Sequence, residues 1–428
     1  MKLAGRIAAA IEVITEIRER NRPASEALRD WGKAHRFAGS GDRHVIGTIV
    51  YDTLRHRNSS AARAGADTPR ALVLGTLKVI HSLSTGEIAA LCTEQFGPGA
   101  LTAAEQKALD APLEDMPPHV AGDYPEWLTP ELTKIFGSNI VPQMHALAER
   151  APIDLRTNTL KAKRDDVLSA FAKFGAQPTK LSPIGIRISP PGIDAKSINV
   201  EAEPAHGLGQ FEVQDEASQL AAVLTGANPG ETVLDLCAGA GGKSLALAAM
   251  MHSRGLIIAY DRDKHRLRPI FERINRSGAT NIDVIPADEP QKLTRKDGYD
   301  LVVVDAPCTG SGTWRRKPDA KWRLSEKQLN IRLKEQVDVL EQAHELVRPG
   351  GRLAYFTCSV LPVENDAQVD AFLKRHQQFE IIPYAEQLKT VTGAPSIVSA
   401  NGRTTTLQLT PHDHNTDGFF VCIMRRKA

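Results

Sequence analysis

The sequence has 428 residues, 42% of them hydrophobic and 24% charged, with a formal net charge of +2. This length predicts two or three domains, and the ordinary composition excludes a chain that stays disordered for lack of apolar residues. So small a net charge gives no argument by itself for an anionic partner, and any such argument must rest on local clusters.

No apolar run approaches the ~20 residues that a membrane span needs, so we expect no membrane partner. Five cysteines are present without a C-x-x-C pair, which indicates neither a zinc knuckle nor a disulfide framework. We therefore predict no metal and a reducing, cytoplasmic environment. Glu12 and Glu16 interrupt the apolar residues at the amino end, so an amphipathic helix is expected there instead of a signal peptide.

Apolar residues recur at helical spacing through residues 3–113, as Ile7, Ile11 and Ile14 illustrate. This pattern predicts a helical domain over residues 1–113. Basic side chains are interspersed within it, namely Arg36, Arg43, His44, Arg55, His56, Arg57 and Arg63. They indicate either an RNA-contacting surface or an ordinary solvated face.

Residues 114–210 are predicted to form a linker and a small α/β module, with prolines marking the linker over 113–125. Helical and extended segments are expected to alternate in it as helix 130–150, strand 154–160, helix 164–174 and strand 185–189. An irregular connection is expected from Pro190, Pro191 and Gly192 onward.

Residues 211–428 alternate between apolar runs and helical patterns, which predicts a mostly parallel, doubly wound sheet with helices on both faces. The predicted strands are 232–236, 256–260, 282–286, 301–304 and 352–356. The predicted helices are 243–251, 264–276, 325–347 and 364–376. Two last strands, 405–409 and 419–424, have no long helix between them, so a hairpin is expected.

A glycine-rich loop follows the first of these strands and indicates a ligand-binding turn at the start of a helix. It reads Cys237, Ala238, Gly239, Ala240, Gly241, Gly242 and Lys243. Its glycine spacing matches neither the dinucleotide fingerprint nor a phosphate-binding loop. Asp261 ends the second strand, where a carboxylate accepts hydrogen bonds from a ribose, and Asp288 follows the third. S-adenosylmethionine suits this pattern better than a dinucleotide, although the glycines would also serve helix–strand packing alone.

Two cysteines follow neighbouring strands of the predicted sheet. Cys308 comes after the fourth strand and Cys358 after the fifth, so both thiols are expected at one edge. Adjacent strands lie ~4.8 Å apart, which allows the thiols to share a cleft. A free thiol with a pKa of ~8.5 needs a nearby cation or base to act as a nucleophile. Lys243, Arg315 and Arg316 are the candidates for that cation.

Residues 314–323 interleave tryptophans with cations, the combination that holds single-stranded nucleic acid. They include Trp314, Arg315, Arg316, Lys317, Lys321, Trp322 and Arg323. The alternative is a surface loop whose tryptophans pack on the next helix. His412 and His414 lack the further ligands that zinc requires, so a polar loop is predicted there.

Three segments carry a resemblance: LDLCAGAGGKS, DAPCTGSGTWRRKPD and FTCSVLPVEN resemble motifs of the RsmB and Nop/Sun family of RNA cytosine-5 methyltransferases. DLRTNTL, GQFEVQDEASQL and DGFFVCIMRR extend the likeness, and GSGDRHVIGTIVYDTLRHR is similar to the NusB-like domain of the bacterial RsmB branch. One departure is the loop at 237–243, which lacks the proline of the family's C-A-A-P-G-G-K.

The resemblance implies a class I (Rossmann-like) methyltransferase domain over 211–428, an RRM-like α/β module before it and an all-α NusB-like RNA-binding domain. It implies that Cys358 is the nucleophile, that Cys308 assists product release and that Asp305 hydrogen-bonds the N3/N4 edge of the base. It further implies that S-adenosylmethionine is bound by Cys237, Ala238, Gly239, Ala240, Gly241, Gly242, Lys243, Asp261, Arg266, Asp288 and Asp305.

The function predicted is methylation of C5 of a cytosine in RNA, most simply small-subunit ribosomal RNA, by a monomeric enzyme. Transfer RNA is the alternative substrate. A ribosome-assembly factor that binds RNA without catalysis is a second hypothesis, and a DNA or small-molecule methyltransferase is a third. The paired cysteines, the acids and the glycine loop argue against a retired site, because a protein without chemistry has no need of them.

Overall fold

The computed structural model describes residues 1–112, 115–190, 198–392 and 397–428. They form two compact units. The helical unit comprises Met1–Arg150 and Trp314–Leu324, and the sheet unit comprises 151–190, 198–313 and Ser325–Ala428. The predicted boundary at residues 113 and 114, and the connection at Pro191 and Gly192, lie outside the described residues. Within those ranges, no helix has both the length and the apolar character needed to cross a bilayer.

The helical unit begins with α1 (Leu3–Arg20), α2 (Ala24–Ala34), α3 (Ser40–Arg55), α4 (Arg57–Ala64), α5 (Pro69–Val79), α6 (Thr85–Thr93), α7 (Ala103–Asp110), α8 (Pro118–Ala121), α9 (Thr129–Phe136) and α10 (Ile140–Ala146). The apolar stripe of α1, including Ile7 and Ile14, packs on α3 and α5 in one core. A single helix over 130–150 was expected, but Gly137 has a φ of 51° and separates α9 from α10.

A small antiparallel sheet opens the sheet unit, with strand order β2-β3-β1-β4. Its strands are β1 (Ile153–Thr157), β2 (Gln177–Pro178), β3 (Gly185–Ile188) and β4 (Phe211–Val213), and its helices are α11 (Arg164–Ala170) and α12 (Pro204–Gly207). Phe171 and Phe211 meet edge to face at 5.2 Å in its core. β4 starts at the first residue predicted for the catalytic domain, yet it pairs with β1.

The large sheet has the order β10-β12-β9-β8-β5-β6-β7, with β11 paired to β12. Its strands are β5 (Thr232–Asp235), β6 (Leu256–Ala259), β7 (Ile282–Val284), β8 (Tyr299–Asp305), β9 (Val347–Thr357), β10 (Phe379–Ile382), β11 (Leu407–Leu409) and β12 (Phe419–Arg426). The later helices are α13 (Glu216–Leu224), α14 (Gly242–Met250), α15 (Lys264–Leu267), α16 (Ile270–Ser277), α17 (Pro318–Arg323), α18 (Glu326–Leu346), α19 (Asp366–Arg375), α20 (Tyr384–Thr392) and α21 (Pro411–His414).

The strands β5 to β9 are parallel, and β8 lies between β5 and β9 as predicted. Successive β8 residues serve opposite cores: Leu301 and Val303 lie in one cluster, Val302 and Val304 in the other. Burial on both faces explains why this strand reads as a continuous apolar run. The expected hairpin is present, since β11 and β12 pair antiparallel.

Several details differ from the expectation, among them helices α13, α17 and α21, which were not predicted. The helix predicted over 264–276 is divided into α15 and α16 at Pro269, whose ring leaves no N–H for a helical hydrogen bond. Strand β10 was not predicted and pairs with β12 at the edge of the sheet. Helix α20 was not predicted either.

Candidate active site

The thiols of Cys308 and Cys358 lie together at one edge of the large sheet. β8 ends three residues before Cys308 and β9 ends directly before Cys358, and the two strands run parallel with Asp305 opposite Phe356. The two Sγ atoms are 3.4 Å apart. The predicted proximity of the thiols is therefore found, and it follows from two strand ends that are neighbours in the sheet.

The protonation of the Cys308 thiol is affected by its neighbour. The hydrogen bond to Cys358, and then burial, raise the pKa of Cys308 well above the ordinary range of a thiol. Because two adjacent sulfurs cannot both carry charge cheaply, Cys308 keeps its proton beside the sulfur of Cys358.

One buried carboxylate joins the two cysteine loops. Glu364 accepts hydrogen bonds from the Thr309 backbone N–H at 2.8 Å, from the Thr309 hydroxyl at 2.5 Å and from the Ser359 hydroxyl at 2.5 Å. Gln336 of α18 donates to Glu364 at 3.0 Å and to the carbonyl of Pro307 at 2.9 Å. Burial raises the pKa of Glu364. The residue after each cysteine is therefore bound to the same group.

Sequence reasoning missed this carboxylate. Glu364 has no exposed surface, and a buried acid is rare unless it has partners. The available signal was its position six residues after Cys358 in the segment FTCSVLPVEN, where an acid follows an apolar run.

Asp305 and Lys243 form an ion pair at the same edge of the sheet. The Lys243 ammonium donates to Asp305 at 2.9 Å and to the Ser218 hydroxyl at 2.6 Å, and it lies 4.8 Å from the centroid of the Phe419 ring. Lys243 is buried, whereas the Asp305 side chain is 32% exposed. The Asp305 carboxylate is therefore accessible to a ligand, while the buried Lys243 ammonium fixes its position and stabilises its negative charge.

The glycine loop turns from β5 into α14 as predicted. Gly241 has a φ of 83°, and a Cβ there would meet Ile270 Cγ1 at 2.5 Å. Only glycine therefore fits this position. Gly239, with a φ of 50°, donates its N–H to the Asp261 carboxylate at 3.0 Å.

Asp235, the last residue of β5, lies beneath this loop. It is fully buried, and it accepts a hydrogen bond from the Ser244 hydroxyl at 2.6 Å. Its other carboxylate oxygen has no partner among the described residues. Burial raises the pKa of Asp235 to about 7, because the charged form has lost its water.

A cleft of about 110 Å³ opens beside the loop. Its lining includes Cys237, Asp261 and Arg266, three of the residues predicted to bind the cofactor, together with Tyr260 and side chains of α18. Asp261 is buried except for 2% of its surface, and Arg266 Nη1 lies 3.7 Å from its carboxylate. Asp288 is exposed and does not line this cleft.

The tryptophan-rich segment does not have the open aromatic faces that were expected. Trp314 is 1% exposed, and the indole N–H of Trp322 donates to the Leu54 carbonyl at 2.5 Å. Lys321 is buried between these rings and donates to the Arg55 carbonyl at 3.0 Å. Burial lowers the pKa of Lys321 to about 8. Base stacking on Trp314 is therefore excluded, because the ring packs inside the helical unit.

Several smaller predictions concern histidines and the remaining cysteines. His414 accepts from the Thr410 N–H at 3.0 Å and donates to the Val398 carbonyl at 2.8 Å, but it ends the short helix α21, where a polar loop was predicted. Cys92 and Cys422 are each 1% exposed, as expected of packing residues. Burial raises the pKa of Cys237, which argues against a nucleophilic role for its thiol.

Comparison with known proteins agrees with this architecture. Residues 222–425 match the family model described as 16S rRNA methyltransferase RsmB/F, and residues 124–193 match a ferredoxin-like domain of RsmF/B-like methyltransferases. The predicted Rossmann-like domain and small α/β module are thereby confirmed. Neither match reaches residues 1–123, so the NusB-like assignment stays a prediction.

A probable ribosomal RNA small subunit methyltransferase B of Bacillus subtilis is 32% identical over 311 residues, which are 71% of this chain and 67% of that protein. A human 28S rRNA (cytosine(4447)-C(5))-methyltransferase is 29% identical over 71% of this chain and 38% of its own length. The crystal structure of PH0851 superposes with a TM-score of 0.75 at 27% identity, covering 100% of this chain and 99% of that one. The chain therefore belongs to the RsmB/F family of ribosomal RNA methyltransferases, as its cysteine motifs predict.

Proposed function

We propose that this protein methylates C5 of a cytosine in small-subunit ribosomal RNA, using S-adenosylmethionine, through a covalent bond between Cys358 and C6 of the base. The observation that carries the proposal is the pair of thiols 3.4 Å apart at adjacent strand ends. The names of the relatives support ribosomal RNA as the substrate and cytosine C5 as the position.

The need for a thiol follows from the substrate. Cytosine C5 is too weak a nucleophile to attack a sulfonium methyl group until C6 carries an electron-donating substituent. In the proposed step Cys358 loses its proton to solvent and its thiolate adds to C6, which moves the electrons of the C5–C6 double bond to C5. That electron pair would bond to the sulfonium methyl group as the sulfur–methyl bond breaks, and the sulfur would leave as the thioether of S-adenosylhomocysteine. Asp305, held by Lys243, hydrogen-bonds the N3/N4 edge and stabilises the activated ring.

Release requires a base, and this is the role proposed for Cys308. Once Cys358 is bonded to carbon, the hydrogen bond that raised the pKa of Cys308 is gone, so Cys308 loses its proton to solvent more readily. After C5 has gained its methyl group, the Cys308 thiolate takes the C5 proton. The freed electron pair re-forms the C5–C6 double bond, and Cys358 departs as a thiolate.

The cofactor cleft fits the adenosine part of S-adenosylmethionine. The carboxylate of Asp261 lines the cleft and can accept ribose hydroxyls, and Gly239 leaves open the space in which a Cβ would lie 3.4 Å from Arg266 Nη2. At about 110 Å³ the cleft is smaller than the ~300–1,000 Å³ of pockets that enclose whole ligands, so it would enclose only part of the molecule. S-adenosylmethionine would supply an electrophilic methyl group on sulfur.

The target base must leave its stack before Cys358 can reach C6, so the substrate is a single-stranded or locally opened RNA segment. We assign RNA binding to the NusB-like helical domain predicted over residues 1–113, and we expect a monomer that acts in the cytoplasm. Transfer RNA is the alternative substrate.

The test is methyl transfer from labelled S-adenosylmethionine to stripped small-subunit ribosomal RNA, transfer RNA and DNA, with Cys358→Ser as the control. Label recovered as 5-methylcytosine in ribosomal RNA, and none with the control, is the expected result. Label in transfer RNA alone would establish the alternative substrate. RNA binding without any label would favour the non-catalytic assembly factor and contradict the proposal.

A further inference from the structure

We propose that Arg156 and Arg273 are positioning residues that hold the glycine loop in its cofactor-binding shape, which makes the small sheet part of the cofactor site. The inference rests on the proposed function, because it assumes that this loop binds S-adenosylmethionine. It assigns a task in catalysis to a module that lies before the catalytic domain in sequence.

Arg273 reaches the loop from α16. Its Nη1 donates to the carbonyl of Ala240 at 2.7 Å, while its Nε and Nη2 donate to Glu212 of β4 at 3.1 and 2.9 Å. Glu212 also accepts from Arg276 at 2.8 Å. The carboxylate of the small sheet therefore orients the guanidinium that holds the loop.

Arg156 reaches the same loop from β1, an inner strand of the small sheet. Its Nη1 donates to the carbonyl of Gly242 at 2.6 Å and to the side chain of Gln214 at 2.5 Å. Two carbonyls of the loop, two residues apart, thus each accept from a different arginine. Both contacts depend on residues of the small sheet.

The burial of the Arg156 guanidinium indicates that it has a specific role in this site. Arg156 is 2% exposed, and burial lowers its pKa to about 10. Removing a guanidinium from water is costly, and an apolar side chain of similar volume is often no less stable in such a place. What an apolar residue would lose are the hydrogen bonds to the Gly242 carbonyl and to the Gln214 side chain.

The held carbonyls control the shape of the loop. Because a peptide unit is planar, fixing the Ala240 and Gly242 carbonyls fixes the planes that also contain the N–H groups of Gly241 and Lys243. These residues stand at the start of α14. Without the arginines, the loop would sample other conformations, and ordering it on cofactor binding would reduce the affinity.

The experiment measures binding of S-adenosylhomocysteine by calorimetry, which needs no turnover. For Arg273→Met and Arg156→Met we expect the dissociation constant to rise ~10-fold or more, because each variant loses a charge-assisted hydrogen bond to the loop. In steady-state methylation the KM for S-adenosylmethionine should rise while the KM for RNA stays unchanged. Arg273→Lys, which keeps one donor for Ala240, should recover part of the affinity.

Arg187→Met is the matched control. Arg187 also belongs to the small sheet and donates to Asp154 at 2.7 and 2.6 Å, but it makes no contact with the loop. The Arg187→Met variant should be less stable than the wild type but should bind S-adenosylhomocysteine with unchanged affinity. Arg273 is 20% exposed, so its variants remain informative if Arg156→Met fails to fold.

Wild-type affinity in Arg273→Met would overturn the inference and leave the proposed function untouched. An equal loss in Arg187→Met would overturn it too, since a general loosening of the sheet would then explain the effect. If the wild-type protein binds no S-adenosylhomocysteine and transfers no methyl group, the proposed function itself fails.

Discussion

Replacing Glu364 by alanine should allow the Cys308 and Cys358 thiols to move out of the positions needed for catalysis. The carboxylate is fully buried and accepts N–H donors from Thr309 at 2.8 Å and Gln336 at 3.0 Å, besides the two hydroxyl groups. A buried donor left without an acceptor costs ~1–3 kcal/mol, so two of them lower the free energy of unfolding by ~2–6 kcal/mol. Hydroxyls can turn to other partners and add less.

The catalytic consequence should be larger than the loss of stability suggests. Thr309 and Ser359 directly follow the two cysteines, so releasing them lets both thiols move. A displacement of ~1 Å at reacting groups can cost ~100-fold in rate, and we expect single-turnover methylation by Glu364→Ala to fall by about that factor. Glu364→Gln keeps one oxygen for the two N–H donors, and its amide can donate to the hydroxyls.

Urea unfolding and single-turnover methylation at saturating RNA measure the two effects. We expect a large decrease in the free energy of unfolding for Glu364→Ala, and a decrease of ~1 kcal/mol or less for Glu364→Gln. An alanine variant with wild-type stability and rate would refute the view that Glu364 holds the two loops. Equal losses in both variants would mean that the charge matters and the geometry does not.

Three further predictions concern protonation, oxidation and the ion pair. Because the folded pKa of Asp235 is about 7 and its reference value is 3.8, the stability that it contributes falls as pH rises between those values. The melting temperature of Asp235→Asn should therefore fall less than that of the wild type between about pH 4 and 7. Diamide should take one hydrogen from each of Cys308 and Cys358, form a disulfide between them and stop methylation until dithiothreitol is added; full activity despite a mapped disulfide would contradict their roles. Lys243→Met should lower the methylation rate ~10-fold with RNA affinity unchanged, because Asp305 loses its charged partner; an unchanged rate would refute the role of the pair.

The thiol pair could be predicted because it depends on strand order. A buried β-branched run identifies β8 and the apolar run 353–356 identifies β9, and the doubly wound order makes the two strands neighbours, so Cys308 and Cys358 must share an edge. The glycine loop and Asp261 follow from the same logic at β5 and β6. These features depend on local patterns and on a connection rule that few folds violate.

Contacts that join distant segments could not be predicted in this way. A segment with tryptophans and cations fits a nucleic-acid surface and a packed helix equally well, and the burial of Trp314 decides for packing. The partners of Glu364 come from two loops and α18, and those of Arg156 and Arg273 come from the glycine loop and from the segment of β4 and Gln214. Their chemistry is visible in the sequence, but their pairing depends on tertiary distances.

The central claim, that Cys358 forms the covalent bond and Cys308 releases it, has a direct test. Cys308→Ala and Cys358→Ala proteins are incubated with RNA and S-adenosylmethionine, and complexes that survive denaturation are separated by electrophoresis. Cys308→Ala should accumulate a stable protein–RNA adduct, because the C5 proton is not removed, whereas Cys358→Ala should form none. An adduct in Cys358→Ala and none in Cys308→Ala would exchange the two roles, and normal methylation by both variants would contradict the mechanism.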